Sequence, residues 1–359
     1  ATEFLGSCYC CAAGTFSNWQ VVLPSAPSSG KSVTFTLRVN GADTAAVITI
    51  SNTATVGTYV GSPISLADGD KLTIKCVPSG TPTVSTPHMS WSFNSTTSAQ
   101  SIYGSGGMNA LITTTRTNTL LFRPDVTNFQ NPTREVIACP GTINKITIEL
   151  SADSGAAGTW VFTVNKNGTA QDGTGGTPDT RVIFNNTGLV KSATFSLAVV
   201  AGDYLTWTCS FTGSPAVAIQ MINGVRMTAT TAGESQYGGV GSDLDTASTR
   251  YLPCGNGLDD IVLTGTEAVF QVNAGLTAFK LGNLYCQLQG TAGAGASAGF
   301  TFNLKKNGST TALSATLLFT ATAGSDLTGN VNYGAQDLIG LEVIPLNTPL
   351  PRFASWAAV

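Results

Sequence analysis

The stretch VTFTLRVNG, residues 33–41, decides the fold because related versions of it occur twice more along the chain. These are WVFTVNKNG, residues 160–168, and GFTFNLKKNG, residues 299–308. In each version apolar residues alternate along the stretch, which ends in Asn-Gly. Alternation predicts a strand with one buried face, and Asn-Gly suits the two positive-φ positions of a type I′ hairpin turn. The chain is therefore expected to contain three equivalent hairpins.

A second pattern follows each hairpin at constant spacing. Twelve positions separate an aspartate, which opens an alternating segment, from a later proline: Asp70 to Pro82, Asp203 to Pro215 and Asp337 to Pro349. A turn, a strand and a second turn explain this spacing. Because no stretch has helical periodicity, we predict an all-β protein of three tandem antiparallel β-sandwich domains, immunoglobulin-like or jelly-roll-like. The predicted boundaries are 1–97, 98–229 and 230–359.

The composition limits the classes of partner. Only 10% of the 359 residues are charged, against about 25% in a typical soluble domain. A surface this poor in charge is weakly protected from self-association, so we expect partners to cover part of it. With a net charge of −3 and no Lys/Arg cluster, the sequence argues against nucleic-acid binding. No apolar run reaches the roughly 18–20 residues of a membrane helix, so no membrane span is predicted.

The termini and cysteines favour an extracellular location. The chain has neither an initiating Met nor a signal-peptide pattern. A mature product whose leader has been removed would have this pattern, and so would a truncated chain. Eight cysteines predict a disulfide-permissive setting, with buried free thiols in a cytosolic protein as the alternative. The expected pairs are Cys139 with Cys209, Cys254 with Cys286, and Cys11 or Cys10 with Cys76. Cys8 and one neighbour are left over, and connectivity is not fixed by sequence alone.

The opening segment TEFLG (Thr2, Glu3, Phe4, Leu5 and Gly6) reads as a short strand. Its counterparts in the later units contain Phe122 and Tyr251, and each is followed by a connection long enough to cross between sheets about 10 Å apart. The first unit has no such connection. It also lacks the YGxG lead-in that begins at Tyr103 and Tyr237.

We therefore predict that residues 1–7 form a donor strand that projects from an incomplete first domain. Thr2 to Gly6 would pair with the first domain of another copy, where Phe4 or Leu5 would fill an apolar groove. A frayed tail and a truncated N-terminus are the alternatives.

The unit FTLRVNG…GDKLTI…PSGTP…W resembles β-domains that recur in uncharacterised environmental bacterial and phage surface proteins. The short N-terminal strand on an incomplete sandwich resembles bacterial pilus-like fibril subunits assembled by donor-strand exchange. That resemblance implies a helical filament of identical subunits. The chain differs from the usual pilus subunit in having three units and a shorter donor segment.

No catalytic, metal or cofactor site is predicted. The single histidine, His88, lies in a predicted strand or turn beside Trp91. The glycine-rich stretches at 104–107 and 293–299 read as loops, since no helix that could bind phosphate follows them. The acidic stretches at 242–246 and 259–260 lack the oxygen-ligand spacing of a calcium loop and read as turns.

Three functions remain open at this stage. The first is a structural protomer of an extracellular or cell-surface filament, a homo-oligomer without catalysis. The second is a virion component, either a phage fibre or a capsid-decorating protein. The third is an array of carbohydrate-binding modules that would hold a surface glycan through exposed aromatic residues such as Trp19 or Trp160.

Overall fold

The chain is built from β-strands throughout the part that the structure describes. The computed structural model describes residues 7–83, 87–111, 116–118, 134–153, 158–185, 188–213, 219–241, 244–252, 272–273, 278–335 and 337–359. Within these ranges every regular element is a strand, and the strands form antiparallel sheets. The prediction of an all-β protein with antiparallel sandwiches is confirmed. The described ranges contain no helix with the length and hydrophobicity needed to cross a membrane.

The strands fall into three consecutive units. Unit 1 contains β1 (Ser7–Tyr9), β2 (Gly14–Val22), β3 (Ser28–Val39), β4 (Ala42–Asn52), β5 (Val56–Thr58), β6 (Ile64–Leu66), β7 (Lys71–Ser79) and β8 (His88–Ser95). Unit 2 contains β9 (Gln100–Leu111), β10 (Arg116–Asn118), β11 (Glu135–Val136), β12 (Gly141–Leu150), β13 (Thr159–Lys166), β14 (Thr169–Ala170), β15 (Val182–Asn185), β16 (Val190–Val199), β17 (Tyr204–Thr212) and β18 (Ile219–Ala229). Unit 3 contains β19 (Tyr237–Gly241), β20 (Arg250–Leu252), β21 (Val272–Asn273), β22 (Phe279–Leu288), β23 (Gly299–Lys306), β24 (Ser309–Leu318), β25 (Ala323–Tyr333), β26 (Leu338–Leu346) and β27 (Ala354–Ala358).

Each unit encloses its own hydrophobic core between two sheets. The core of unit 1 is centred on Trp19 and Phe35, that of unit 2 on Trp160 and Phe162, and that of unit 3 on Trp356 together with the phenylalanines of β23. These side chains alternate along their strands with residues on the opposite face. The alternation seen in the three hairpin sequences therefore fills three separate cores.

Unit 2 has the strand connections of a jelly roll. Its first sheet has the order β16-β12-β18-β9. In its second sheet, β17 pairs with β13 on one side and with β10 and β11 on the other. The strand β15 pairs with the other edge of β13. Most consecutive strands lie in opposite sheets, as in a jelly roll of two facing four-stranded sheets. Unit 3 repeats the arrangement, with the orders β19-β27-β22-β25 and β20-β26-β23-β24 and with β21 also paired to β26. The jelly-roll option, rather than the immunoglobulin-like one, describes both units.

Unit 1 follows the same plan, but among the described residues it lacks counterparts of both β9 and β10. Its second sheet has the order β1-β7-β3-β4, in which β1 takes the place of β11 and β21. Its first sheet contains β2 between β8 on one side and the short strands β5 and β6 on the other. No described strand occupies the position that β9 and β19 hold in the other units.

An Asn–Asp pair joins the two landmarks of the sequence in all three units. The Nδ2 of Asn167, in the hairpin turn, donates to Oδ1 of Asp203 at 2.6 Å, and its Oδ1 accepts from the N–H of Tyr204 at 2.9 Å. The Oδ2 of Asp203 in turn accepts from the N–H of Val200 at 2.9 Å. The same contacts occur around Asn40 with Asp70 and around Asn307 with Asp337.

These asparagines have left-handed backbone conformations, with φ of 52°, 51° and 50° at Asn40, Asn167 and Asn307. We call each of these pairs an Asn–Asp clamp. The clamp explains why Asn-Gly and the later aspartate recur together in the sequence.

Candidate assembly site

The outer edge of β8 distinguishes unit 1 from the other two units. The equivalent strand of unit 2, β18, pairs with β9 from Gln100 onward, and that of unit 3, β27, pairs with β19 along five residues. Among the described strands, only β2 pairs with β8. An edge of this kind offers backbone N–H and C=O groups to an added strand.

The apolar face beside this edge is open as well. Trp91 on β8 is 40% exposed, although its ring stacks on Phe16 at 5.0 Å between centroids, whereas its counterparts by strand register, Val225 on β18 and Ala358 on β27, are fully buried. Met89 and Phe93, which face the core on either side of Trp91, are only partly buried. The sandwich of unit 1 is thus incompletely covered along β8.

The facing strand β7 is uncovered at the same end of unit 1. Cys76 is exposed, whereas its counterparts by strand register, Cys209 in unit 2 and Val343 in unit 3, are buried. In units 2 and 3 the strands β10 and β20 pair at these positions. We define the unit 1 groove as Ile74, Cys76, Met89, Trp91 and Phe93.

The predicted donor residues Thr2, Glu3, Phe4, Leu5 and Gly6 lie outside the described residues. Ser7, the last residue of the predicted donor strand 1–7, pairs instead with Thr73 of its own unit, with 2.6 Å between the two hydroxyl oxygens. Ser7 pairs within its own unit because β1 is the counterpart of β11 and β21. All three strands pair with the first residues of the strand that follows the clamp aspartate. The donor segment therefore ends before Ser7.

Unit 1 contacts unit 2 through β1. Gly224 on β18 and Gly104 on β9 are paired on the outer face of their sheet. A Cβ atom at Gly224 would lie 2.2 Å from the carbonyl oxygen of Tyr9, and one at Gly104 would lie 2.9 Å from the Cβ of Cys8. Glycine is required at both positions because the backbone of β1 approaches so closely. The stretch at 104–107, predicted to be a loop, belongs to strand β9 instead.

Charged groups surround this contact. The Tyr9 hydroxyl donates to Glu149 at 2.9 Å, and Lys71 lies 3.3 Å from the same carboxylate. Asp68 of unit 1 pairs with Lys145 and with Arg226 of unit 2. Several partly buried ion pairs thus fix the orientation of the two units.

Unit 2 contacts unit 3 in the same way through β11. Val136 and Ala138 pack on Ala357, which lies on the outer face of β27. The Ser355 hydroxyl, on the same face, donates to the carbonyl of Arg134 and accepts from the N–H of Val136. Both contacts place the start of one unit's second sheet on the outer face of the next unit's first sheet.

The predicted disulfides are not made. Cys8, Cys10, Cys11, Cys76, Cys139, Cys209 and Cys286 carry free thiols, and Cys254, the predicted partner of Cys286, lies outside the described residues. The N–H of Ile137 bonds to the carbonyl of Asp203, so Cys139 lies beyond the beginning of β17. Cys209 is six residues along β17 in the other direction, or about 20 Å from Asp203, and a disulfide needs Cα atoms within about 7 Å.

The same geometry separates Cys10 and Cys11 from Cys76, because the N–H of Cys10 bonds to the carbonyl of Asp70. Burial raises the pKa of the Cys8 and Cys10 thiols to about 12 and of the Cys11 and Cys139 thiols to about 11. Cys8 and Cys11 stand at CxxC spacing, but the described residues contain no group of three possible metal ligands.

The other polar residues considered as candidate sites, His88 and Asp245, lie in an ordinary strand and an ordinary turn. His88 begins β8. Asp245, within the stretch 242–246, accepts from the N–H of Ala247 at 2.8 Å and pairs with Arg250, as a turn residue does. The stretch 259–260 lies outside the described residues.

The aromatic residues suggested for glycan binding are not exposed. Trp19 and Trp160 are both fully buried in the cores of units 1 and 2, so their assignment to a sugar-binding surface is wrong. The positive φ of Asn18, within a bulge of β2, sets the direction of Trp19. Trp91 is the exposed member of the five tryptophans.

Comparisons with known proteins give only distant likenesses. No family model and no curated protein matches the chain. Among solved structures, the chain is similar to the major capsid protein P2 of bacteriophage PM2, with 9% identity, a TM-score of 0.23, and coverage of 72% of this chain and 96% of that one. It is also similar to PNGF-II, with 10% identity, a TM-score of 0.21, and coverage of 87% and 79%. A third likeness is to dimeric latent PorU from Porphyromonas gingivalis, with 9% identity, a TM-score of 0.21, and coverage of 95% and 33%. Likenesses of this size assign neither a fold nor a function.

Proposed function

We propose that the chain is a structural protomer of an extracellular filament, in which each copy inserts residues 2–6 along β8 of another copy. The observation that carries the proposal is the open unit 1 groove beside two closed units of the same design. Trp91 is 40% exposed, whereas its counterparts Val225 in unit 2 and Ala358 in unit 3 are fully buried. A strand added beside β8 would restore the arrangement that β9 and β19 complete in units 2 and 3.

The length of the donor segment suits this role. The strand that closes unit 3, β19, is itself only five residues long and pairs with all of β27. A segment from Thr2 to Gly6 has the same length. In a strand, Phe4 and Leu5 point to opposite faces, so one of them faces the groove.

The expected gain is enough to hold copies together. Burying one such side chain stabilises a complex by about 1.5–3 kcal/mol, and each added main-chain hydrogen bond contributes about 0.5–1.5 kcal/mol. A donor at one site and an acceptor at another make a head-to-tail contact, which builds a helical filament unless it closes into a ring. The low charge of the chain favours such association.

The first experiment removes the donor. A chain that begins at Ser7 should stay folded and unassembled, because β1 and all later strands are retained. A synthetic ATEFLGS peptide should bind to it, and the control peptide ATESSGS, which lacks both apolar side chains, should not. Filaments of unchanged appearance from the shortened chain would overturn the proposal. Assembly that requires a second protein would instead favour a virion component.

The second experiment separates insertion between copies from insertion within one copy. One chain carries Phe4→Cys and the other Met89→Cys, both with Cys76→Ser and Cys254→Ser. Mixing them under oxidising conditions should give a disulfide-linked dimer. A single chain with both cysteines that oxidises only to a monomer would show that residues 2–6 fill their own groove, and would overturn donor exchange.

A further inference from the structure

We propose that the donor segment lies antiparallel to β8 with Phe4 opposite Trp91, so that neighbouring copies meet unit 1 to unit 1. This inference rests on the proposed function and deepens it. It assigns the side chain that fills the unit 1 groove, and it makes an aromatic ring the feature that the groove selects. It also identifies the surface of the neighbouring copy that lies against the groove.

The first step concerns the residue that lies opposite the position of Trp91 in the two closed units. By strand register, the counterparts of Trp91 are Val225 on β18 and Ala358 on β27. Val225 pairs with Tyr103 of β9, and Ala358 pairs with Tyr237 of β19. Both closed units therefore place a tyrosine at the position that is open in unit 1.

The second step concerns the face on which these tyrosines lie. Tyr103 packs on the core of unit 2. Tyr237 packs on the core of unit 3, where its ring stacks on Phe279 at 5.0 Å between centroids. Residues directly opposite each other on paired strands share one face of the sheet. Because the ring of Trp91 stacks on the core residue Phe16, the residue opposite Trp91 also faces the core.

The alternation of the donor segment decides which of its residues takes this position. Thr2, Phe4 and Gly6 share one face of an extended strand, because side chains alternate along it. Glu3 and Leu5 share the other face. If Leu5 faced the groove, Glu3 would face it as well, and burying its carboxylate among apolar side chains would be costly. Phe4 is therefore the residue that fills the groove.

The residue two positions before Phe4 agrees with this register. An antiparallel strand with Phe4 at the tyrosine position places Thr2 opposite Phe93. In unit 2 the counterpart of Phe93 is Met227, which pairs with Ser101 of β9. Thr2 and Ser101 both have short side chains with a hydroxyl group. The donor segment thus repeats the order of β9, with a short hydroxyl residue followed two positions later by an aromatic one.

The register also identifies the units through which neighbouring copies meet. Gly6 would lie on β8 of the acceptor copy, whereas Ser7, the next residue, pairs with Thr73 in unit 1 of its own copy. Cα atoms of consecutive residues are about 3.8 Å apart. Unit 1 of the donor copy must therefore lie directly against unit 1 of the acceptor copy.

Peptide binding to the chain that begins at Ser7 tests which side chain enters the groove. The peptide ATEALGS (Phe4→Ala) should bind at least about tenfold more weakly than ATEFLGS, because the position opposite Trp91 stays unfilled. The matched peptide ATEFAGS (Leu5→Ala) should bind within about threefold of ATEFLGS, because Leu5 faces away from the groove. ATEYLGS (Phe4→Tyr), which carries the tyrosine of the closed units, should also bind. Isothermal titration calorimetry gives the four dissociation constants.

The outcomes separate the register from donor exchange itself. A large loss with ATEFAGS and none with ATEALGS would overturn the register and leave donor exchange standing. Equal losses with the two peptides would also overturn the register, since both faces would then contribute alike. If ATEFLGS does not bind to a shortened chain that still unfolds cooperatively on heating, donor exchange fails, and the register fails with it.

A disulfide test locates Phe4 along β8. The shortened chain carries Cys76→Ser and Cys254→Ser, which remove competing thiols. With the peptide ATECLGS (Phe4→Cys), the variant Trp91→Cys should form a mixed disulfide faster than Phe93→Cys does, because only the first pair lies directly opposite. Faster reaction of Phe93→Cys would shift the register by two residues and overturn the assignment.

Discussion

The backbone N–H of Val136 donates a 3.2 Å hydrogen bond to the Oγ of Ser355, which lies 219 positions later in the chain. Both residues are almost completely buried. This bond joins unit 2 to unit 3, and its loss would leave a buried N–H group unpaired.

We therefore expect Ser355→Ala to lower the free energy of unfolding by about 1–3 kcal/mol. Urea unfolding measures the change. Ser309→Ala, at an exposed position of the β23–β24 turn, is the control and should stay within about 0.5 kcal/mol of the wild type. Equal effects of the two substitutions would contradict a specific role for the bond.

The Asn–Asp clamp of unit 2 provides a second prediction. Asn167→Gly keeps the left-handed backbone but removes the bonds to Asp203 and Tyr204, and should cost about 1–3 kcal/mol. Asn167→Ala loses the same bonds and keeps a Cβ in the left-handed region, which makes it about 1–2 kcal/mol less stable than the glycine variant. In chemical denaturation, Asn167→Ala should have a lower free energy of unfolding than Asn167→Gly. The reverse order would show that the clamp does not depend on the positive φ.

Thiol reactivity should follow burial. Among the cysteines that the structure describes, Cys76 is exposed and should react with iodoacetamide in the native protein at pH 8. Cys11 and Cys139 should react slowly, because burial raises the pKa of each to about 11 and the thiolate is scarce at that pH. Peptide mapping by mass spectrometry gives the order. Recovery of a Cys139–Cys209 disulfide would contradict the structure and restore the prediction made from sequence.

Acid should weaken unit 3 through Asp326. The N–H groups of Gly329, Thr328 and Ser314 bond to this carboxylate and lower its pKa to about 2. A depressed pKa in the folded state adds stability above the unfolded pKa, near 4, and that stability is lost as the pH falls toward 2. The thermal midpoint should therefore drop between pH 5 and pH 2.5.

Asp326→Asn should show a smaller drop over this range, since the variant has no carboxylate to protonate. Asp153→Asn, at an exposed position, should behave as the wild type does. Equal acid sensitivity in all three proteins would contradict the assignment to Asp326.

Assembly should be visible in the fluorescence of Trp91. Trp19, Trp160, Trp207 and Trp356 are buried already, so only Trp91 has much surface left to cover. Insertion of a strand along β8 should move the emission maximum to shorter wavelength. Trp91→Phe should abolish most of this shift while keeping an apolar side chain in the groove. A shift that persists in Trp91→Phe would place the contact elsewhere.

The local patterns of the sequence predicted the local structure well. Asn-Gly turns and the aspartates that follow them recur at related places because the clamp requires both residues. The order of strands in each sheet was not predictable in this way. It depends on pairings such as β9 with β18, between segments more than a hundred residues apart, and the alternation of side chains carries no information about such partners.

The failure of the predicted disulfide between Cys139 and Cys209 has a simple geometric cause. The sequence pattern predicts that Cys139 corresponds to Cys11 or Cys10, but the bonds of Ile137 to Asp203 and of Cys10 to Asp70 show that it corresponds to Ala12. Cys139 and Cys209 extend in opposite directions from the pairing of Ile137 with Asp203, so the proposed disulfide cannot form. The alignment of the Phe4 segment with the strands near Phe122 and Tyr251 stays a prediction, since Phe4 lies outside the described residues.

The sequence predicts that unit 1 lacks a strand, but it does not predict the groove that forms the candidate site. The absence of a YGxG lead-in predicts that unit 1 lacks a counterpart of β9 and β19, and none occurs among the described strands. The exposed side of Trp91 depends on how β7 and β8 face each other. The partner surfaces at Gly104 and Gly224 gave no recognisable signal, because two isolated glycines in strand sequences have many explanations.

The Asn–Asp clamp also bears on chemical ageing. An asparagine followed by glycine is prone to deamidation, in which the backbone nitrogen of the glycine attacks the side-chain carbonyl carbon. At Asn307 the side-chain amide is held at 2.6 Å from Asp337 and at 2.7 Å from the N–H of Leu338, so the carbonyl carbon is not free to rotate toward Gly308. Conversion to aspartate would set two carboxylates against each other at this turn. The three Asn-Gly turns should thus deamidate slowly while the protein is folded and quickly once it unfolds.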